Sequence, residues 1–223
     1  MKSTEHISEN VYQQLRDLIE CGKLKPGMRL VQCDLAHKLN TSSIPVAKAI
    51  CMLEHDGLVV NEPNRGAQVM DWSFDEIECA IMIRSSMEQM AAGFCAVRAT
   101  DAQRQKIRDL ATVFTNCAIA QGTKGCLKAD SELHSFIVQC TRSQLLSRTF
   151  ANSRVITNTI RNTTWLRQSV CCPEIHDALV NAIIAGDEKL ARDCAREHVE
   201  QVLSDLCSVM HESMLQPIKM QLA

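Results

Sequence analysis

The sequence predicts a mainly α protein in two parts: three short helices closed by a β-hairpin, then an antiparallel all-α bundle of about six helices. Three observations carry this prediction. Ala, Leu, Ile, Met, Glu and Lys dominate while aromatic residues make up only 4%, a helical bias. One strand-prone stretch, "LVVNEPNRGAQVM", lies at residues 58–70, and no strand pattern follows residue 72. Beyond Ser73, apolar residues recur at helical spacing between cap signals and glycine stops. With 46% apolar and 22% charged residues the chain can bury a core, so disorder is disfavoured. Its 223 residues allow one large domain or two small ones.

In "SENVYQQLRDLIECGKL", Val11, Leu15, Leu18 and Ile19 share a helix face, with Ser8 as the expected N-cap and Gly22 as the residue past the C-terminus. Pro26-Gly27 in "KPGMRL" presets a turn. "QCDLAHKLN" reads as a short helix with Leu35, Ala36 and Leu39 inward. "TSSIPVAKAICMLEHDGL" then holds Pro45 in a first helical turn, where a missing N–H costs nothing, and ends at Gly57. Two β-prone runs joined by Asn61, Pro63, Asn64 and Gly66 complete a hairpin. Helix, helix, helix, hairpin is the order of a winged helix-turn-helix, here assigned to residues 1–72.

The second part, residues 73–212, opens on a capping-box pattern, Ser73 with Glu76, repeated by Thr100 with Gln103. Helices are expected over about 74–98, 101–120, 125–140, 144–168, 174–185 and 187–212, followed by a fraying tail at 213–223.

A net charge of −2 gives no global sign of a nucleic-acid or membrane partner. The twelve cysteines contain no C-x-x-C and are read as small buried hydrophobes of a reducing compartment; the Cys171–Cys172 pair is the candidate for redox chemistry. The first residues hold no apolar leader core and no run reaches membrane-spanning length, so a soluble, cytoplasmic protein is expected.

The chemistry lies in "KADSELHSFIVQC". Asp130 and His134 stand at i and i+4, about 6 Å apart on one helix face. Farther on, His176 precedes Gly186 by 10 residues and His198 follows Asp187 by 11. If Gly186-Asp187 turns a helical hairpin, both imidazoles sit roughly 15 Å from the turn and level with each other. Three imidazoles and one carboxylate suit a divalent ion: Zn, Ni, Co or Fe, with Mn also compatible and Zn or Ni preferred. A six-coordinate ion would keep positions for water or a small carboxylate. Separate polar residues with local hydrogen bonds are the alternative, and Cys194, one turn before His198, is a further soft donor.

These residues also carry a family resemblance. "LKPG", "DLA", "PV", "LEHDGLV" and "NRGA", in that order, resemble the DNA-binding domain of the GntR family of bacterial transcription regulators. "IRSSMEQMAA", "DSELH" and the His176–His198 pair around "AGD" resemble the FCD-type effector domain of its FadR-like branch. The resemblance covers residues 8–212. It implies a homodimer that binds a palindromic double-stranded DNA operator, a metal held by Asp130, His134, His176 and His198, and a small organic acid beside it. It also implies that Arg84 faces the effector cavity, although an arginine there equally suits a solvated helix face.

The family's recognition helix usually reads Ser-Arg-x-Pro-Val-Arg; here Ser42 is followed by Ser43-Ile44-Pro45-Val46-Ala47, so both arginines are replaced. Residues 1–72 hold eight Lys/Arg against nine Asp/Glu, which leaves no net positive field for phosphate attraction. Arg29, Lys38, Lys48 and Arg65 remain as candidate phosphate or groove contacts, Gly66 allows close backbone approach at the wing, and Ser42 and Ser43 are candidates for a helix cap or for DNA contact. A sensor acting through protein partners and a small metalloenzyme are the rival readings.

Overall fold

The structure is a computed structural model and describes residues 2–62, 65–120, 123–163, 173–201 and 203–204. The expected tail at 213–223, the Cys171–Cys172 pair and the ends of the helices anticipated at 144–168 and 187–212 lie wholly or partly outside the described residues. The chain forms two compact units: Met1–Ile77 with Val155–Thr163, and Glu78–Arg154 with Thr164–Ala223.

In the first unit the order is α1 (Lys2–Glu20), α2 (Gln32–Lys38), α3 (Ser43–His55), β1 (Val59–Glu62) and β2 (Gly66–Val69). Val11, Leu15 and Ile19, one turn apart on α1, are buried with Val46, Ala49, Ile50 and Leu53 of α3 and Leu35 of α2. α3 stops because Gly57 takes φ +73°: its N–H donates to the Glu54 carbonyl and that of Leu58 to the Leu53 carbonyl. β1 and β2 are antiparallel, with Val59 opposite Val69 and Glu62 opposite Gly66. Residues 27–30 lie along the other edge of β2, where Leu30 N–H donates to Ala67 (2.8 Å) and Val69 N–H to Met28 (2.9 Å). This is the winged helix-turn-helix expected.

The end of α7 (Gln144–Thr163) belongs to this unit as well. Asn162 Nδ2 donates to the Glu20 carbonyl at 2.8 Å, at the C-terminus of α1, and Thr159 Oγ1 lies 3.1 Å from the Ile19 carbonyl, which also accepts from the Gly22 N–H. Two local expectations fail. Ser8 is not a cap: α1 begins at Lys2 and Ser8 is buried within it, because no glycine or proline interrupts the preceding turn. Not all cysteines are internal: Cys95, Cys126, Cys140 and Cys194 are buried, but Cys21, Cys33, Cys51 and Cys79 are exposed thiols.

The second unit contains most of α4 (Phe74–Arg98), α5 (Asp101–Ile119), α6 (Thr123–Cys140), the first half of α7, α8 (Pro173–Ala185) and α9 (residues 188–201). Both capping boxes form: Ser73 N–H donates to Glu76 at 2.7 Å, and Thr100 closes the same arrangement with Gln103. Ala91, Ala92, Cys95, Ile107, Leu133, Ile137, Phe150, Leu179, Ile183 and Ala195 form one core. The many alanines let the helices approach closely. Gly186 at φ +78° ends α8, and Asp187 accepts from the Leu190 N–H at 2.9 Å to start α9.

Arg104 braces this unit: its Nη2 donates to the Ala96 carbonyl at 2.8 Å and its Nη1 to the carbonyls of Ile184, at 3.0 Å, and Ile183. One cation thus serves the C-terminal ends of α4 and α8, where the helix dipoles are negative. Arg104→Ala should lower stability by about 2 kcal/mol, the scale of hydrogen bonds to a charged group, and Arg104→Lys should recover only part of it in a thermal melt. Equal melting of wild type and Arg104→Ala would remove this role.

Candidate metal centre and nucleic-acid interface

α6 places Asp130 and His134 one turn apart on its inward face, α8 supplies His176 and α9 supplies His198; all four are buried. Their ligating atoms lie within 4.8 Å of one another. His134 Nε2 is 3.2 Å from His176 Nε2, Asp130 Oδ1 is 3.0 Å from His176 Nε2 and 3.5 Å from His134 Nε2. Donors about 2.0–2.1 Å from one centre would be separated by roughly 2.9 Å at octahedral and roughly 3.3 Å at tetrahedral angles, so three of the four atoms already have the spacing of a coordination shell. The His198 ring stacks on His134 (4.7 Å, 16°) and meets His176 edge-on at 4.5 Å. Its Nε2 is buried and has no hydrogen-bond partner among the described residues. A buried nitrogen lone pair of this kind is costly unless it has a ligand. Phe114 of α5 closes the site over His176 at a ring distance of 4.1 Å.

Sequence reasoning missed Glu88. It sits on α4, 3% exposed, with Oε2 3.1 Å from His134 Nδ1 and Oε1 accepting from Arg84 Nε at 2.6 Å. Arg84 is 2% exposed, so it is no solvated helix arginine. The only signal for Glu88 in the sequence is its i+4 spacing from Arg84, which commonly marks an exposed helix pair.

Electrostatics follow from this packing. Burial alone would raise the Glu88 carboxyl, but Arg84 and then His134 outweigh it and hold the group well below the usual carboxylate range. Burial would likewise lower His134, yet the facing carboxylates of Glu88 and Asp130 raise it to about 9. Burial, with the His134 and His176 rings alongside, pushes His198 well below its ordinary value, so it presents a neutral lone pair. A neutral imidazole is the form that ligates. Cys194 packs in the apolar core and is not part of the donor group.

The candidate DNA residues lie in the first unit. Arg29, Lys38, Ser42, Ser43, Lys48 and Arg65 are exposed, and Gly66 is half-buried. Ser42 occupies the N-cap position of α3 but its side chain makes no cap hydrogen bond. Arg65 pairs with Glu62 at 3.2 Å, and the Arg29 guanidinium lies beside Gly66, 3.8 Å from where a Cβ would stand. Gly66 has φ +76°, a conformation other residues adopt only with strain.

A winged helix-turn-helix joined to a helical unit with a buried polar centre defines a DNA-binding transcriptional regulator. Residues 7–69 match "Bacterial regulatory proteins, gntR family" and residues 79–201 match the FCD domain. The chain belongs to the GntR family, in the branch that carries an FCD domain, and is a regulator and not an enzyme. It is 21% identical over 218 residues, 96% of this chain and 94% of the relative, to the HTH-type transcriptional repressor RspR of Escherichia coli K12. It is 30% identical over 147 residues, 64% of this chain and 66% of the relative, to the Nta operon transcriptional regulator of Aminobacter aminovorans. The fold is similar to that of E. coli McbR/YncC, with a TM-score of 0.80 and 20% identity over 91% of this chain and 97% of that one. No helix among the described residues is long and apolar enough to cross a membrane.

Glu88→Gln keeps the side chain's shape and removes its charge from behind His134. Zn2+ affinity, measured by competition with a chromogenic chelator, should fall by about 10- to 100-fold, the usual worth of such an outer partner. Unchanged affinity would assign Glu88 to packing alone.

Proposed function

We propose that this protein is a cytoplasmic homodimer that binds a palindromic operator and responds to a small organic acid at a divalent-metal centre formed by Asp130, His134, His176 and His198. The observation that carries the reading is the buried convergence of these four donors, with His198 Nε2 left for a ligand. A bound divalent ion such as Zn or Ni would supply coordination positions to a carboxylate oxygen. Asp130 would offset the charge of the ion, each of the three rings would supply one nitrogen, His134 giving up its proton as the ion binds, and Glu88 faces His134 from behind. Arg84, buried beside the centre, provides the cationic partner for an acid ligand.

Regulation then needs a path to the reading unit. α4 and α7 each contribute residues to both units. Arg154 of α7 donates to the Ser131 carbonyl at 3.1 Å and to Ser135 Oγ at 2.7 Å, next to the ligands on α6. Farther along the same helix, Thr159 and Asn162 hold the end of α1. Displacing α6 therefore biases a helix that also belongs to the winged unit. A coupling of about 1–3 kcal/mol is the ordinary scale for such linkage.

His134→Ala and His176→Ala should each lose stoichiometric metal by elemental analysis. They should also lose the thermal shift that a panel of small mono-, di- and tricarboxylates produces on the metal-loaded protein. If both variants keep metal and shift, the site assignment fails.

A further inference from the structure

The solvent face of α3 contains no arginine: "SIPVAKAICMLEH" offers Lys48 as its lysine, presents Ser43, Ile44, Cys51 and Met52, and carries exposed Glu54 and His55 at its C-terminal end. Ile44 is 64% exposed, although it is a large β-branched side chain. Its position is imposed by its neighbours: Pro45 and Val46 turn into the core and direct Ser43 and Ile44 outward at the first turn of the helix. The side chain is stiff at χ1 and so is held ready in one direction. In helix-turn-helix proteins the N-terminal residues of this helix meet base edges in the major groove. The apolar group displayed there is the 5-methyl of thymine.

We infer that α3 reads thymine methyl groups through Ile44, supported by Ala47, and that the operator half-site is specified by A·T pairs at that turn, not by guanine. The exposed Ser43 hydroxyl, able to donate or accept, accompanies this contact, as does Ser42, whose side chain makes no cap hydrogen bond. The inference rests on the DNA-binding function and not on the metal centre.

The test uses the full-length protein. Duplexes are selected from a random library at low salt, and each thymine of the enriched half-site is then replaced by deoxyuridine, which removes only the methyl group. One thymine per half-site should weaken binding about fourfold on replacement, the worth of one buried methyl-sized group. Ile44→Ala should bind the thymine and deoxyuridine duplexes alike, and Ile44→Val should retain part of the difference. Every deoxyuridine duplex binding within twofold of the parent, enrichment of a G·C half-site, or an Ile44→Ala protein that keeps the thymine preference would each overturn the inference. No enrichment with no binding at low salt would overturn it together with operator recognition itself.

Discussion

Burying Asp130 and Glu88 among four helices is costly unless positive charge answers them, and the second unit is organised around that need. Arg84 answers Glu88 directly from one turn away on α4. Asp130 faces His176 and His134, and the rise of His134 to about 9 records the field of the two carboxylates on a single ring. A divalent ion between Asp130 and three imidazoles, as proposed, would satisfy the same field with directed bonds and would also give His198 Nε2 a partner. Charge, donor type and spacing thus agree at one buried cluster that could hold a metal.

The fold delivers this geometry by simple means. A glycine with positive φ and an aspartate cap turn α8 into α9, and arms of nearly the same length bring His176 and His198 together. Helical periodicity alone aligns Asp130 with His134. Small residues on α4 and α9 allow the helices to close, and Arg104 secures the ends of α4 and α8. In the winged unit, α1 is held at its end by side chains from residues 155–163 of α7.

What the sequence made legible was local or periodic. The caps at Ser73, Thr100 and Asp187, the stops at Gly57 and Gly186 and the donor spacing were all visible because each depends on residues a few positions apart or on nearly matching counts along two helices. What it hid depends on long-range packing. Glu88 meets His134 across two helices, Arg104 reaches α8 about eighty positions away and Asn162 caps α1 across 142 positions. Ser8 misled because serine marks helix starts only where the chain before it leaves the helix, and here it does not. The exposure of Ile44 also had no signature in the sequence, since an isoleucine at a helix start reads as core.

The central claim is that one oxygen and three imidazole nitrogens share a single cation inside the FCD domain. X-ray absorption spectroscopy at the metal edge of the purified, Zn-loaded protein addresses it directly. The account predicts imidazole scattering from three rings and an inner shell of nitrogen and oxygen at about 2.0–2.1 Å, with no sulfur. A shell with sulfur at about 2.3 Å, or an inner shell without imidazole signatures, would place the metal elsewhere, among the cysteines or at the surface, and would contradict it.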